Sequence, residues 1–210
     1  MSITIKSPDY FETCKNAYLA KTTAVAHGAN TYDTPFGVDT IKKVGESEQR
    51  ETKTITASGK VFKQTSKHSA TNLGIDATSL PADFVRWALD HASDTNGGFG
   101  FVKSSDTPTE FAFGSVYEYS DKSNFVFKWY PRCVLSNGDK TVQDPGTSPT
   151  DPSTSYTVVA LPYGDDNIIA IEYDTTLVSV TKNPLTETQF FTAVLSTLAN
   201  ALVGTETTKA

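Results

Sequence analysis

Histidine, cysteine and methionine are scarce in this 210-residue chain, at three, two and one. His27, His68 and His91 are widely spaced and form neither HExxH nor HxH, so zinc has no local ligand pair. Cys14 and Cys133 lie far apart and outside any CxxC pair. Two reduced thiols are expected, with one disulfide as the alternative. No stretch approaches the roughly 18 apolar residues of a membrane span. Residues 1–9 hold no apolar core of signal-peptide length, and no Asn-x-Ser/Thr sequon occurs. The expectation is a soluble protein made in a cytoplasm and not secreted.

Positive charge is also short. Eighteen basic residues face 24 acidic ones, a net charge of −6, which argues against tight binding to nucleic-acid phosphates. There is no Gly-x-Ser-x-Gly elbow, and Gly59-Lys60-Val61 lacks the rest of a phosphate loop. No spacing nominates a carboxylate pair for glycoside hydrolysis. Asp94-Thr95-Asn96-Gly97-Gly98 resembles a calcium loop, but the twelfth position, where an EF-hand needs a bidentate acid, is Ser105. Both it and Asp165-Asp166-Asn167 read as turns. No enzymatic activity, cofactor or metal site is expected.

What the chain does have is aromatic alternation. Phe111, Phe113, Tyr117 and Tyr119 precede the polar break Ser120-Asp121-Lys122-Ser123, and Phe125, Phe127 and Trp129 follow it. A spacing of two puts alternate side chains on one face of a strand, so this reads as an aromatic-faced β-hairpin. The other positions, Ala112, Gly114, Val116 and Val126 with Glu118 and Lys128, form the mixed face expected opposite a core. The aromatics therefore read as core, and a stacking platform for sugars or bases is the alternative. Pro131 cannot donate to a ladder, so the second strand should bulge or stop pairing there.

Elsewhere, residues 1–31 are polar, end in Gly28-Ala29-Asn30-Thr31, and read as an arm or irregular lead-in. Residues 36–76 are strand-like, with a turn at Ser58-Gly59-Lys60. Within them Glu46 to Thr54 is so polar that it must be a solvated edge strand or a long exposed loop. Ser79-Leu80-Pro81-Ala82-Asp83 starts a helix carrying Leu80, Phe84, Ala88 and Leu89, which should end near His91-Ala92-Ser93. Asp144 to Ser155 is a loop. Tyr156 to Pro162 and Ile168 to Tyr173 should form a second hairpin. Thr186-Glu187-Thr188-Gln189 matches a capping box. Phe190, Phe191, Val194, Leu195, Leu198, Ala199 and Leu202 then recur at helical spacing through four turns to Gly204, an amphipathic helix that should bury its apolar face on its own domain, with a neighbouring subunit as the alternative.

From Tyr32 to Tyr173 the chain resembles the major tail proteins, or tail tube proteins, of long-tailed, non-contractile phages of Gram-positive bacteria. The matching motifs run in order: Tyr32-Asp33-Thr34-Pro35-Phe36-Gly37, Ala57-Ser58-Gly59-Lys60, Leu80-Pro81-Ala82-Asp83-Phe84, Glu110-Phe111-Ala112-Phe113-Gly114, Trp129-Tyr130-Pro131-Arg132-Cys133, and Thr157-Val158-Val159-Ala160-Leu161-Pro162. Leu89-Asp90 departs from the Leu-Gly helix ending of that pattern.

The resemblance implies a mainly β, sandwich- or barrel-like tail tube domain over residues 32–181 with one flanking helix. The arm (1–31) and an extra C-terminal helix and tail (182–210) lie on either side. It implies a structural virion protein, assembled in the host cytoplasm, whose hexameric rings stack into the tube that delivers DNA. Self-association, a tape measure protein and tail-tip or terminator proteins are the implied partners; DNA passes through the lumen without specific binding, and no membrane is involved. Glu46, Glu48, Arg50, Glu51 and Lys53 are the candidates for contacts between rings. A carbohydrate-binding β-sandwich of a phage or bacterial surface protein is the alternative.

Overall fold

Runs rich in Thr, Val, Phe and Tyr dominate the chain, and such residues suit a pleated, half-buried surface. A computed structural model accordingly gives a mainly β protein. It describes residues 11–26, 30–57, 60–93, 100–139, 154–178 and 182–196. The strands are β1 (Phe11–Ala24), β2 (Thr31–Tyr32), β3 (Phe36–Val38), β4 (Ile41–Ala57), β5 (Lys60–Ala77), β6 (Ala92–Ser93), β7 (Gly100–Phe101), β8 (Phe111–Tyr119), β9 (Phe125–Asp139), β10 (Thr154–Ala160) and β11 (Ile171–Asp174). The helices are α1 (Ala82–Ala88) and the single turn α2 (Glu187–Phe190). Nine strands make one antiparallel sheet in the order β2-β1-β8-β9-β10-β5-β4, with β3 also on β1 and β11 also on β9; β6 and β7 pair separately. The expected breaks at residues 27–29, 58–59 and 94–99, most of the 144–155 loop, and Leu198, Ala199, Leu202 and Gly204 lie outside the described residues.

The lead-in expected over residues 1–31 does not hold for residues 11–24. They form β1, an interior strand with β8 on one edge and β2 and β3 on the other. Its Ala17, Leu19 and Ala20 are fully buried. Two of the polar residues that hide this strand are held by rings: the Lys15 ammonium lies over Phe125 and that of Lys21 over Trp87.

The aromatic hairpin forms, but its two aromatic rows do not share a face. Phe113 pairs with Tyr130, Gly114 with Trp129 and Val116 with Phe127. Residues directly opposite each other project to the same side, so even-numbered positions of β8 meet odd-numbered ones of β9. Phe111 and Phe113 therefore join a first core with Tyr130, Cys133, Leu135 and Phe84 of α1, which also collects Val38 and Ile75 from β3 and β5, near opposite ends of the sheet. Phe127 and Trp129 join Ala20, Ala112 and Val116 in a second core on the other side. The face expected to be mixed is thus also buried. The register slips between Phe111 and Phe113, where Pro131 and Arg132 oppose the single Ala112, which is the bulge the proline required.

The second core is closed by the C-terminal segment. Thr186 and Gln189 make the capping box of α2. Phe190, Phe191 and Val194 are buried, with Phe191 stacked on Tyr18 at 4.1 Å between centroids. The Glu187 carboxylate accepts hydrogen bonds from Asn16 Nδ2 and Tyr18 Oη, both at 2.6 Å. Of the apolar face, Phe190, Phe191 and Val194 are buried on the chain's own sheet. The helix, however, lasts one turn rather than four; residues 191–196 continue without helical structure. Two adjacent phenylalanines that both face the sheet are met better by leaving the helix than by continuing it, since helical neighbours point about 100° apart.

Two further expectations are modified. Tyr163 and Ile168 close the turn around Gly164, but β10 and β11 do not pair with each other. Both lie on β9, which holds β11 along residues 126–129 and β10 along residues 133–139. Helix α1 stops earlier than His91, in a six-to-one, five-to-two bonding pattern: His91 N–H donates to Arg86 O at 2.8 Å and Asp90 N–H to Trp87 O at 3.1 Å. Asp90 takes φ 56°, the left-handed conformation that favours glycine.

Candidate functional site

The outer halves of β4 and β5 leave the body as a two-stranded arm. β10 follows β5 only as far as Thr71, opposite Ala160. Beyond that point β4 and β5 pair with each other alone, from Gln49↔Ala70 to Ala57↔Lys60. Ten or so residues at about 3.3 Å each make a projection of roughly 35 Å. Threonines at 52, 54, 56 and 65 supply strand propensity, yet the arm contributes nothing to either core, and isolated two-stranded ribbons are marginal in water. The polar tract Glu46 to Thr54 is therefore a solvated edge strand, the first of its two expected forms.

The root of the arm is tied to the body by charge. Tyr117 Oη donates to Glu46 Oε1 at 2.6 Å, and the Lys128 ammonium reaches Glu46 at 3.2 Å and Glu172 at 3.0 Å. Lys128 is half-buried beside the Tyr117 ring. Burial alone would lower its pKa; the two carboxylates outweigh this and hold it above the ordinary lysine value. Burial, and then the Glu46 charge, push the Tyr117 phenol well above the ordinary tyrosine range. Cys14, in the same cavity, is raised by burial to about 11. Both thiols are free, as expected.

These shifts set the alkaline behaviour. Each folded pKa is above its unfolded value, so each group's contribution is complete below the unfolded pKa and disappears as pH rises through the folded one. The unfolded chain releases its protons first. The melting temperature should be flat up to about pH 9 and fall from there through about pH 11, the interval from the ordinary thiol value to that of Cys14. Tyr117→Phe should make the decline shallower. Differential scanning calorimetry across this range checks it, and a rising melting temperature contradicts it.

The five candidate contact residues separate along the arm. Glu46 is engaged within the subunit at the root. Glu48 and Arg50 pair at 2.6 Å in full exposure, and the guanidinium, first by hydrogen bond and then by charge, holds Glu48 below the ordinary carboxylate range. Such an exposed pair contributes little to stability. Glu51 and Lys53 are exposed farther out. The residues missed by sequence are apolar: Phe62 is 79% exposed, Val61 63% and Ile55 45%. Phe62 is the extra residue where the register slips between Ile55↔Lys63 and Thr56↔Val61, and bulges re-aim side chains in this way. Two adjacent apolar residues between Lys60 and Lys63 were the available signal.

No family model and no curated protein matches this chain. Among solved structures it is similar to the anti-feeding prophage cap, a tube-terminating cap, with 9% identity, TM-score 0.46, and coverage of 82% of this chain and 95% of that one. It is also similar to Hcp1 from Flavobacterium johnsoniae, with 9% identity, TM-score 0.35, and coverage of 70% and 89%. Neither likeness is large enough to carry an argument about function.

The described residues contain no group of three or more His, Cys, Asp or Glu able to hold a metal ion. No helix among them is long and apolar enough to cross a membrane. The hairpin aromatics Phe111, Phe113, Phe127, Trp129 and Tyr130 are at most 2% exposed and offer no platform to a sugar. Ile55, Val61 and Phe62 gather exposed apolar surface at the arm tip, while Val25, Phe101, Val102 and Leu177 are exposed on the body.

Proposed function

We propose that this chain is the subunit of a self-assembling tube: a structural virion protein of the major tail protein kind, forming hexameric rings that stack around a DNA conduit. The observation that carries this reading is the arm, a long ribbon with no core of its own and an apolar tip, which suits contact with another subunit. The ordered motifs from Tyr32 to Pro162 support it independently. The outer edge of β4 and the short β2 and β3 at the other end of the sheet leave backbone groups for pairing between copies. Heterologous contacts of that kind close into rings or extend as filaments. A net charge of −6 suits a conduit that must not hold phosphate. A tape measure protein and a terminator are the partners that this role requires.

The test is negative-stain microscopy of the purified chain beside a variant in which residues 50–69 are replaced by Asn-Gly, a two-residue hairpin turn. Rings or tubes of uniform diameter are expected from the parent chain. The shortened variant should stay monomeric with its melting temperature unchanged, because the arm lies outside both cores. A parent chain that remains monomeric at high concentration, or an armless variant that assembles equally well, overturns the reading.

A further inference from the structure

Every lysine of the arm stands on one face of it. From Thr52 to Ile75, the longest stretch of the chain without an acid, the lysines are Lys53, Lys60, Lys63 and Lys67. Residues directly opposite each other project to the same side, as do alternate residues along one strand. The register runs Glu51↔Lys67, Lys53↔Thr65, Ile55↔Lys63 and Ala57↔Lys60. These are successive rungs of a single face, each with one lysine, at a spacing of about 6.6 Å. The rungs of the opposite face, Thr52↔Ser66, Thr54↔Gln64 and Thr56↔Val61, hold no charge.

All four lysines are exposed, and no ion pair among the described residues includes them. Glu51 is the one acid on their face. Like charges set side by side work against a ribbon that has no core of its own. Lysines do guard exposed strands against aggregation, but they can do so from either face, and that purpose does not gather them on one.

The rest of the subunit supplies the opposite charge. Residues 50–69 hold five basic side chains and one acid, a net +4, so the other residues together carry −10 of the chain's −6 total. Two such bodies repel each other, whereas the arm of one attracts the body of the next. Ile55 lies within the lysine row and adds an apolar contact. A nucleic acid would also attract the row, but it would bring its phosphates up against the acidic body.

From these observations, and resting on the tube reading above, we infer that the Lys53–Lys60–Lys63–Lys67 face of each arm lies on an acidic surface of a second copy. Attraction of arm for body brings subunits together, and salt weakens it.

The test mixes the full chain with an isotope-labelled copy of the arm-shortened variant, which offers a body but no arm. A carbodiimide then joins lysine amines to the carboxylates they touch. Mass spectrometry should find the arm lysines of the full chain joined to carboxylates of the labelled partner. The yield should fall about tenfold or more between about 50 mM and about 500 mM sodium chloride, as the screening length shortens. Lys53→Glu with Lys67→Glu should lower the yield at Lys60 and Lys63 by a similar factor. Glutamate is as well solvated as lysine, so a row that only guards against aggregation would show no such loss. Uniform tubes from the full chain with no arm-to-body cross-link overturn this contact and leave the tube reading standing. A yield indifferent to salt or to charge reversal also overturns it. Arm lysines that join no second copy but hold a duplex oligonucleotide overturn it in favour of nucleic acid. Cross-links without rings or tubes uphold the contact and remove the tube reading.

Discussion

Removal of residues 187–210 leaves a chain that does not hold its native state. Phe190, Phe191 and Val194 go with the segment, and each is almost fully buried against β1, β8 and β9. At about 1.5–3 kcal/mol per buried apolar side chain, the loss is about 6 kcal/mol. That is comparable with the whole stability of an ordinary domain, about 5–15 kcal/mol. It also uncovers Trp129, Phe127 and Val116, a contiguous apolar face in the middle of a sheet, and aggregation should follow. The measurement is urea unfolding followed by tryptophan fluorescence, in which the truncated chain should show exposed Trp129 before any denaturant is added. A truncated protein with the parent's midpoint would show that this segment is not the lid of the second core.

Gly114→Val should cost about 3 kcal/mol, the upper end of what overpacking a core costs. A side chain there has no room. Its Cβ would lie 2.6 Å from Cε1 of Phe191 and 3.0 Å from Cζ3 of Trp129. Neither ring can move away cheaply. Phe191 is stacked on Tyr18, tilted against Trp129 and edge-on to Phe190, and Trp129 Nε1 donates to Phe190 O at 3.4 Å. Glycine is therefore required by close approach and not by backbone freedom. Thermal unfolding of the variant checks this, and a midpoint unchanged from the parent would mean that the segment yields without cost. Gly114→Val combined with Phe191→Ala should be less destabilised than the sum of the two, since the new methyls occupy space the ring leaves.

Much of the fold was legible because short-range chemistry fixed it. The capping box at Thr186, the bulge at Pro131 and the helix from Ala82 each follow from the hydrogen bonds a few neighbouring residues can make. What escaped was set by pairing at a distance. Alternation locates both aromatic rows, but which face each occupies depends on the odd or even length of the turn between them. Lys122 at φ 55° and the Asp121 carboxylate bonded to Ser123 N and Asn124 N fix that length. β1 was obscured because its alternation is interrupted by a register shift between Cys14 and Asn16. Lys15, Lys21 and Asn16 also meet residues distant in sequence: Phe125, Trp87 and Glu187. The helical spacing after Phe190 was permissive; stacking on Tyr18 and packing against Trp129 decided the path instead. At the arm, polarity announced exposure, while the importance of Val61 and Phe62 was hidden because both look like ordinary strand residues.

The arm's backbone bonds run only between its own two strands, so it can open without breaking a single bond of the body. A free subunit can thus lose order in this ribbon while the rest stays native, since local opening follows the density of buried contacts. Seating against a neighbour would then be a folding event as well as a binding one. The entropy of ordering some twenty residues is offset where a receiving surface exists and nowhere else. On the tube reading, subunits would not stick to one another at random, and the ribbon would order only where arm and receiving surface meet. On that reading, a ribbon too weak to stand alone would gain its order only in the assembled ring.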